Sequence, residues 1–267
     1  MDMRLRTVRE LRKIARKFAS GELERIMIVG PPGQGKSESI KAALGRKRYR
    51  LFKGRVSAIA LYEELYVYQD LPIVLDDTAE MLLDRNAQEI LRDLTETTFT
   101  RKVSWVTQSK SLDEKGIPKS FLTRSPVCVL ANKLGTGGVW PALNSRCLRW
   151  HVEFEWAELV AETRRLGWFN DDEILEYALT HARCQPDLRL FEKAAVLRNA
   201  KLGDWRQLFE AEKTEPEAAI QSICLDPDLS TEDKVRQFVA GGHGSRATYF
   251  RKVKKLGVVS TETGVAS

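Results

Sequence analysis

Histidine and cysteine are scarce in this chain, three and four among 267 residues. Cys128, Cys147, Cys184 and Cys224 stand far apart, and His151, His181 and His243 are equally scattered. No group has the spacing of a structural zinc site, and nothing suggests a disulfide framework. The expectation is a reduced, intracellular, cytoplasmic protein. No apolar run approaches the roughly 20 residues that a membrane helix needs, and the first residues lack the apolar core of a secretory signal, so no membrane partner is expected. What is present is ordinary for a soluble globular chain: 43% hydrophobic and 30% charged residues. The length suits one sizeable α/β core with one or two small appended units. A formal charge of +6 and a pI near 9.1 point toward a polyanionic partner.

The most specific stretch is "GPPGQGKS", Gly30, Pro31, Pro32, Gly33, Gln34, Gly35, Lys36 and Ser37, which satisfies the phosphate-loop pattern position by position. An apolar, strand-like run, Arg25 to Val29, precedes it and a helical one, "ESIKAALG", follows. In that context the glycines let backbone N–H groups turn toward phosphate oxygens, and the helix adds its positive end. Lys36 is expected to reach the β and γ phosphates of ATP, and Ser37 to hold Mg²⁺.

Upstream, Leu5, Val8, Leu11, Ile14, Ala15 and Phe18 recur at helical spacing, with Arg and Lys on the other face. The segment 1–24 reads as a basic amphipathic helix docked on the core; a transit peptide or membrane-surface helix is the alternative. Downstream, "RYRLF" is a plausible second strand, and Ser57 caps a helix. "PIVLDD", Pro72 to Asp77, then runs four apolar residues into two acids. In phosphate-loop enzymes the first, Asp76, shares Mg²⁺ with Ser37, and Asp77 orients or deprotonates an attacking water. Asn86 to Thr97 reads as a helix with Ile90, Leu91 and Leu94 inward. Of the two later strand-like runs, "VCVLAN" (Val127 to Asn132) is the better buried parallel strand, delivering Asn132 to the ligand-binding edge of the sheet. "KVSWVTQ" (Lys102 to Gln108) then belongs to an inserted hairpin; in the rival register it is the core strand, with Thr107 or Gln108 at its tip.

These residues together resemble an AAA+ ATPase over roughly Arg25 to Glu212. The resemblance implies an α/β phosphate-loop core with a five-stranded parallel sheet (25–154) and an all-helical lid (155–213). It also implies Asn132 as sensor 1, Arg146 as an arginine finger acting on a neighbour's ATP (with Arg149 and Arg124 as alternates), and Arg189 in "PDLRLF" as sensor 2. A finger acting in trans implies a ring or open-ring homo-oligomer, most readily a hexamer. The segment ahead of "VCVLAN" is similar to the pre-sensor hairpin of helicase-type members. One departure is Asp77, where the family usually has Glu.

From Trp156 the periodicity is helical throughout, and Asn170 with Glu173 reads as a capping box. A last unit, 214–257, has Ser230 capping one helix, the turn "GGHG", and Ser245 capping a second, with Ala247, Phe250, Val253 and Leu256 inward. No acid lies between Ser245 and Gly257, so the outer face is basic. Helix, glycine turn and basic helix are a helix-turn-helix signature; a charged extension of the lid is the bland alternative. The first reading nominates Ser245, Arg246, Thr248 and Tyr249 for base edges and Lys252 and Lys254 for phosphates of DNA. Residues 258–267 read as a disordered tail. The sequence thus points to an ATP- and Mg²⁺-dependent DNA-binding ATPase of helicase, helicase-loader, branch-migration or initiator type. A weakly hydrolysing nucleotide-gated switch or scaffold, or a protein remodeller acting on a protein partner, are the alternatives.

Overall fold

The computed structural model describes residues 3–78, 84–135, 137–210, 223, 230–241 and 243–256, with the side chains of 252 and 254–256 outside that description. The expected tail at 258–267, the boundary near 214 and Cys224 lie outside the described residues. The chain divides into two compact units, Met1–Glu210 and Ala211–Ser267.

The larger unit is built on a parallel sheet. Its strands are β1 (Met3–Leu5), β2 (Arg25–Val29), β3 (Arg50–Lys53), β4 (Ile73–Asp76), β7 (Val127–Ala131) and β8 (Leu148–Val152), in the order β1-β8-β2-β7-β4-β3. The sheet therefore has six strands and not five. Residues 3–5 join it, pairing Met3 with Trp150 and Leu5 with Val152, where a continuous helix was expected. The cause is local: Thr7 accepts from the Glu10 N–H while Glu10 bonds back to the Thr7 N–H, and this capping box starts helix α1 (Val8–Ser20) only at Val8. Val8, Leu11, Ala15 and Phe18 are buried against the sheet, as the docked reading requires.

The strands read as near-continuous apolar runs because helices cover both faces. On one face Ile26, Ile28, Cys128 and Leu130 meet α1 and α2 (Lys36–Leu44). On the other Met27, Val29, Leu75 and Val129 meet α3 (Ala58–Val67) and α4 (Arg85–Leu94). Ser57 caps α3, and Ile90, Leu91 and Leu94 point inward, as expected. β5 (Arg101–Ser104) and β6 (Ser120–Thr123) form a separate antiparallel pair joined through the short α5 (Lys110–Glu114), so "VCVLAN" is the core strand and the rival register fails.

After α6 (Trp140–Arg146) and β8 come α7 (Trp156–Leu166), α8 (Asp172–His181), α9 (Arg189–Ala200) and α10 (Gln207–Glu210), which bury a second core of Trp156, Ile174, Leu175, Phe191, Trp205 and Phe209. The cap of α8 is Asp171 and not Asn170, because the helix starts one residue later and Asp171 accepts from the Ile174 N–H. In the smaller unit α11 (Thr231–Ala240) and α12 (Arg246–Leu256) pack through Val235, Phe238 and Tyr249.

Leu11 is fully buried between α1 and the sheet. Leu11→Ala should cost roughly 2–5 kcal/mol of stability by removing packed methyl groups and leaving a cavity. Urea unfolding followed by circular dichroism checks this.

Candidate functional site

β7 lies between β2 and β4, pairing Val29 with Ala131 and Asp76 with Leu130. The phosphate loop, Asn132 and the two aspartates therefore leave the sheet at one edge. Gly30 N–H donates to the Ala131 carbonyl at 3.1 Å, tying the first loop residue to the strand that carries Asn132. A side chain at Gly30 would strike Val152, since a Cβ there would sit 2.7 Å from the Val152 carbonyl oxygen. Gly33 and Gly35 have φ of +74° and +72°, and no side chain caps the start of α2. The first N–H groups of α2 are thus left facing the loop, which is the donor set an anionic phosphate requires.

Lys36 is buried. Its Nζ donates to the Gly30 carbonyl at 2.7 Å, the Pro31 carbonyl at 2.6 Å and Asn132 Oδ1 at 3.3 Å. Burial pushes its pKa down to about 8, and the attraction of Asp76 offsets part of that fall. Asp76 is itself buried at the end of β4. Asp77 is exposed and left-handed, with φ of +54°, unusual for a residue with a side chain.

One cavity of about 640 Å³ is lined by Gly33, Gly35, Lys36, Ser37, Asp76, Asp77, Asn132 and Arg189. Its size falls within the range of small-molecule sites. Gln34 is buried and braces the loop from behind, its Oε1 accepting from the Phe154 N–H at 3.4 Å and its Nε2 donating to the Pro186 carbonyl at 3.5 Å. Ser37 and Asp76 offer the hydroxyl and carboxylate that would suit Mg²⁺.

Arg189 opens α9 and reaches the cavity, yet its guanidinium is engaged. Asp187 accepts from Arg189 Nε at 3.0 Å and from Nη2 at 2.9 Å. Asp187 also fills the space beside Gly33, where a Cβ would lie 1.7 Å from Oδ1, and Leu188 N–H donates to the Gly33 carbonyl at 2.9 Å. The sequence reading missed Asp187. Its signal was an acid two residues before a cation at a helix start.

Arg146 lies off this cavity, its Nη1 donating to the Arg92 carbonyl at 2.6 Å and its Nη2 3.2 Å from Glu96. Arg149 donates to Asn144 at 2.9 Å, and Arg124 lies 5.0 Å from the Phe99 ring centre. Among the described residues no cluster of three or more histidine, cysteine, aspartate or glutamate side chains forms a metal site, and burial raises the thiols of Cys128 and Cys147.

The C-terminal nominations are revised. Tyr249 is 3% exposed and packs on Phe238 with ring centres 5.5 Å apart, while Phe250 is 43% exposed. The stripe that meets α11 runs through Tyr249 and Val253, one helical turn apart, so Tyr249 is core and cannot face a base. Ser245 accepts from the Thr248 N–H at 3.3 Å as a cap, and Arg246 lies 3.6 Å from Glu232. The side chains of Lys252 and Lys254 lie outside the described residues.

No family model matches the chain. An uncharacterized 36.7 kDa protein from the nrdC-mobD intergenic region of Enterobacteria phage T4 is 29% identical over 120 residues, which cover 42% of this chain and 37% of that protein. The chain thus spans well under half the length of this relative. Among solved structures, NtrX from Brucella abortus superposes with a TM-score of 0.41 and 16% identity, covering 94% of this chain and 68% of that one. Drosophila ORC bound to DNA gives 0.36 and 13%, covering 93% and 78%. Superpositions this loose carry no weight in assigning a function. No helix among the described residues is long and apolar enough to cross a membrane.

Because Lys36 holds its proton less tightly folded than unfolded, the unfolded chain binds more protons between about pH 8 and the ordinary 10.5, and stability should rise with pH across that window. Below pH 8 the cost of the buried charge is fully present. Lys36→Met should remove that pH-dependent rise, as read from urea midpoints between about pH 8 and 10.5.

Proposed function

We propose that the chain is an AAA+-type ATPase that assembles with copies of itself and acts on DNA. The observation that carries this is the convergence of Lys36, Ser37, Asp76, Asp77, Asn132 and Arg189 on one cavity at the carboxyl edge of a parallel sheet. In this reading residues 25–154 are the nucleotide core, 155–213 the lid and 214–257 a helix-turn-helix unit.

Lys36 neutralises the β and γ phosphates, exchanging the Gly30 and Pro31 carbonyls for phosphate oxygens. Ser37 and Asp76 would hold Mg²⁺, which would supply further positive charge to the phosphates. Asp77 orients and deprotonates water for attack in line on the γ-phosphate, and Asn132 polarises that water or the phosphate from the end of β7. Arg189 approaches the phosphates from the lid. Arg146, or Arg149 or Arg124 in its place, gives a guanidinium to the site of an adjacent copy, most readily in a hexamer. Exposed Arg246 and Arg251, with Lys252 and Lys254, suit phosphate contacts with DNA.

A second reading is a nucleotide-gated switch with little hydrolysis. Two observations favour it: Asp77 is a short carboxylate where Glu is usual, and Arg146 is held by Arg92 and Glu96 of its own chain. A finger role requires those contacts to break on assembly.

Steady-state phosphate release with and without duplex DNA, across protein concentrations, separates the two. Lys36→Ala should abolish ATP binding, whereas Arg146→Ala should keep binding and lose roughly 10³-fold or more in turnover. Parallel loss of binding in Arg146→Ala would remove it from the finger role, and concentration-independent, negligible turnover in the wild type would favour the switch.

Deleting residues 214–267 should weaken duplex binding and flatten its salt dependence, since each lost phosphate contact lowers that slope by about one. Fluorescence anisotropy over a salt series measures it. Unchanged binding would assign the C-terminal unit to a protein partner.

A further inference from the structure

Helix α1 turns Leu11, Ala15 and Phe18 into the sheet, all fully buried. Its opposite face carries Arg9, Lys13 and Arg16, spaced by four and three residues and all exposed. The cations that flank this stripe are neutralised, Arg12 by Glu162 and Lys17 by Glu22. Glu10, the one acid within the helix, is turned toward its start, accepting from the Arg6 and Thr7 N–H groups. Among the described residues Arg9, Lys13 and Arg16 have no ion pair. Like charges three and four residues apart weaken a helix, so the stability of α1 does not account for the stripe.

A second basic stretch adjoins this helix. From Ser39 to Tyr62 the chain has seven cations and no acid that could neutralise them locally. Arg46 and Arg48, between α2 and β3, are exposed and have no ion pair among the described residues. Lys47 between them donates from Nζ to the Ala19 carbonyl at 2.6 Å, which fixes this connection against the C-terminal end of α1.

We propose that the outer face of α1, continued by Arg46 and Arg48, binds the phosphate backbone of duplex DNA. This deepens the DNA reading and rests on it, adding a contact surface on the larger unit. Arg9 to Arg16 spans about 10 Å of helix, the length over which one strand of a duplex presents about three phosphates. Four of the five cations are arginine, whose planar fork matches phosphate oxygens. No aromatic side chain stands on the outer face of α1, so the bases of a single strand have no platform there. Contacts to phosphates alone carry no sequence preference. The apolar face of the helix is buried in the core, so α1 cannot sink into a lipid interface.

Fluorescence anisotropy of the full chain with a labelled duplex over a salt series tests this. Arg9→Gln/Lys13→Gln/Arg16→Gln should weaken binding about 10- to 100-fold at about 0.1 M salt and lower the salt slope by about two to three. Arg46→Gln/Arg48→Gln should lower the slope by about one to two. Lys13→Gln alone should lower it by about one, which keeps the measurement open if the triple variant does not fold. Arg183→Gln/Lys193→Gln/Lys201→Gln removes the same charge from exposed positions in the helical segment and should leave the slope unchanged. Equal losses in the two triple variants would reduce the effect to net charge, and an unchanged slope in the α1 variants would leave a merely solvated face; either overturns the proposal. Equimolar phosphatidylcholine and phosphatidylserine vesicles form a third arm. Vesicle binding lost in the α1 triple variant, with duplex binding intact, would assign the face to a membrane and overturn the proposal too. Arg246→Gln/Arg251→Gln separates this failure from that of the DNA reading. A slope lowered there and not in the α1 variants overturns the proposal alone, whereas a wild-type chain without salt-dependent duplex binding overturns both.

Discussion

A buried ammonium is costly, and the larger unit is arranged around one. Lys36 sits under the loop that carries it, donating to two loop carbonyls and to Asn132, with Asp76 near enough to offset part of the burial cost. Each partner comes from a different place: the loop after β2, the end of β7 and the end of β4. Their meeting requires β7 to lie between β2 and β4 in parallel register. Reversing one of those strands would send its chain end to the opposite edge, and reordering the sheet would carry it sideways out of reach.

The same loop is the place where the helical segment joins the core. Leu188 N–H bonds to Gly33, Gln34 spans from Phe154 to Pro186, and Asp187 occupies space that only a glycine at position 33 leaves open. These contacts bring Arg189 to the cavity and at the same time hold its guanidinium against Asp187. A phosphate arriving at the loop would compete with a carboxylate for that cation, so the Arg189 charge is already balanced before any ligand binds.

Among the described residues of the smaller unit, Val235, Phe238 and Tyr249 form a buried cluster, with Ile223 and Val253 packed against it. Which aromatic turns inward here decides what the described outer side of the helix presents. Tyr249 and Phe250 are adjacent, so a rotation of about 100° about the helix axis exchanges them. Tyr249 takes the inner place, and the exposed side of α12 carries Phe250 beside Arg246.

Much of the larger unit was legible in the sequence because its signals are local. A glycine loop between an apolar run and a helix, an acid pair ending a strand, and the uninterrupted "VCVLAN" each state their own conformation. The preference for that run as core strand followed from its burial on both faces. Three-residue β1 escaped because Leu5 fits the helical stripe as well as a strand, and only its pairing with β8 and the capping box at Thr7 separate the two. Asp187 escaped for another reason: it acquires meaning from Gly33, more than a hundred residues away in the phosphate loop. By itself the sequence determined the strand–glycine loop–helix order at Gly30 to Ser37, the α/β class and the helical character from Trp156 to Glu210. Tertiary structure alone decided that Arg189 reaches the cavity while Arg146 is tied to Arg92 and Glu96, because a guanidinium's role depends on which carboxylates and carbonyls the fold brings within reach, and spacing along the chain does not encode that.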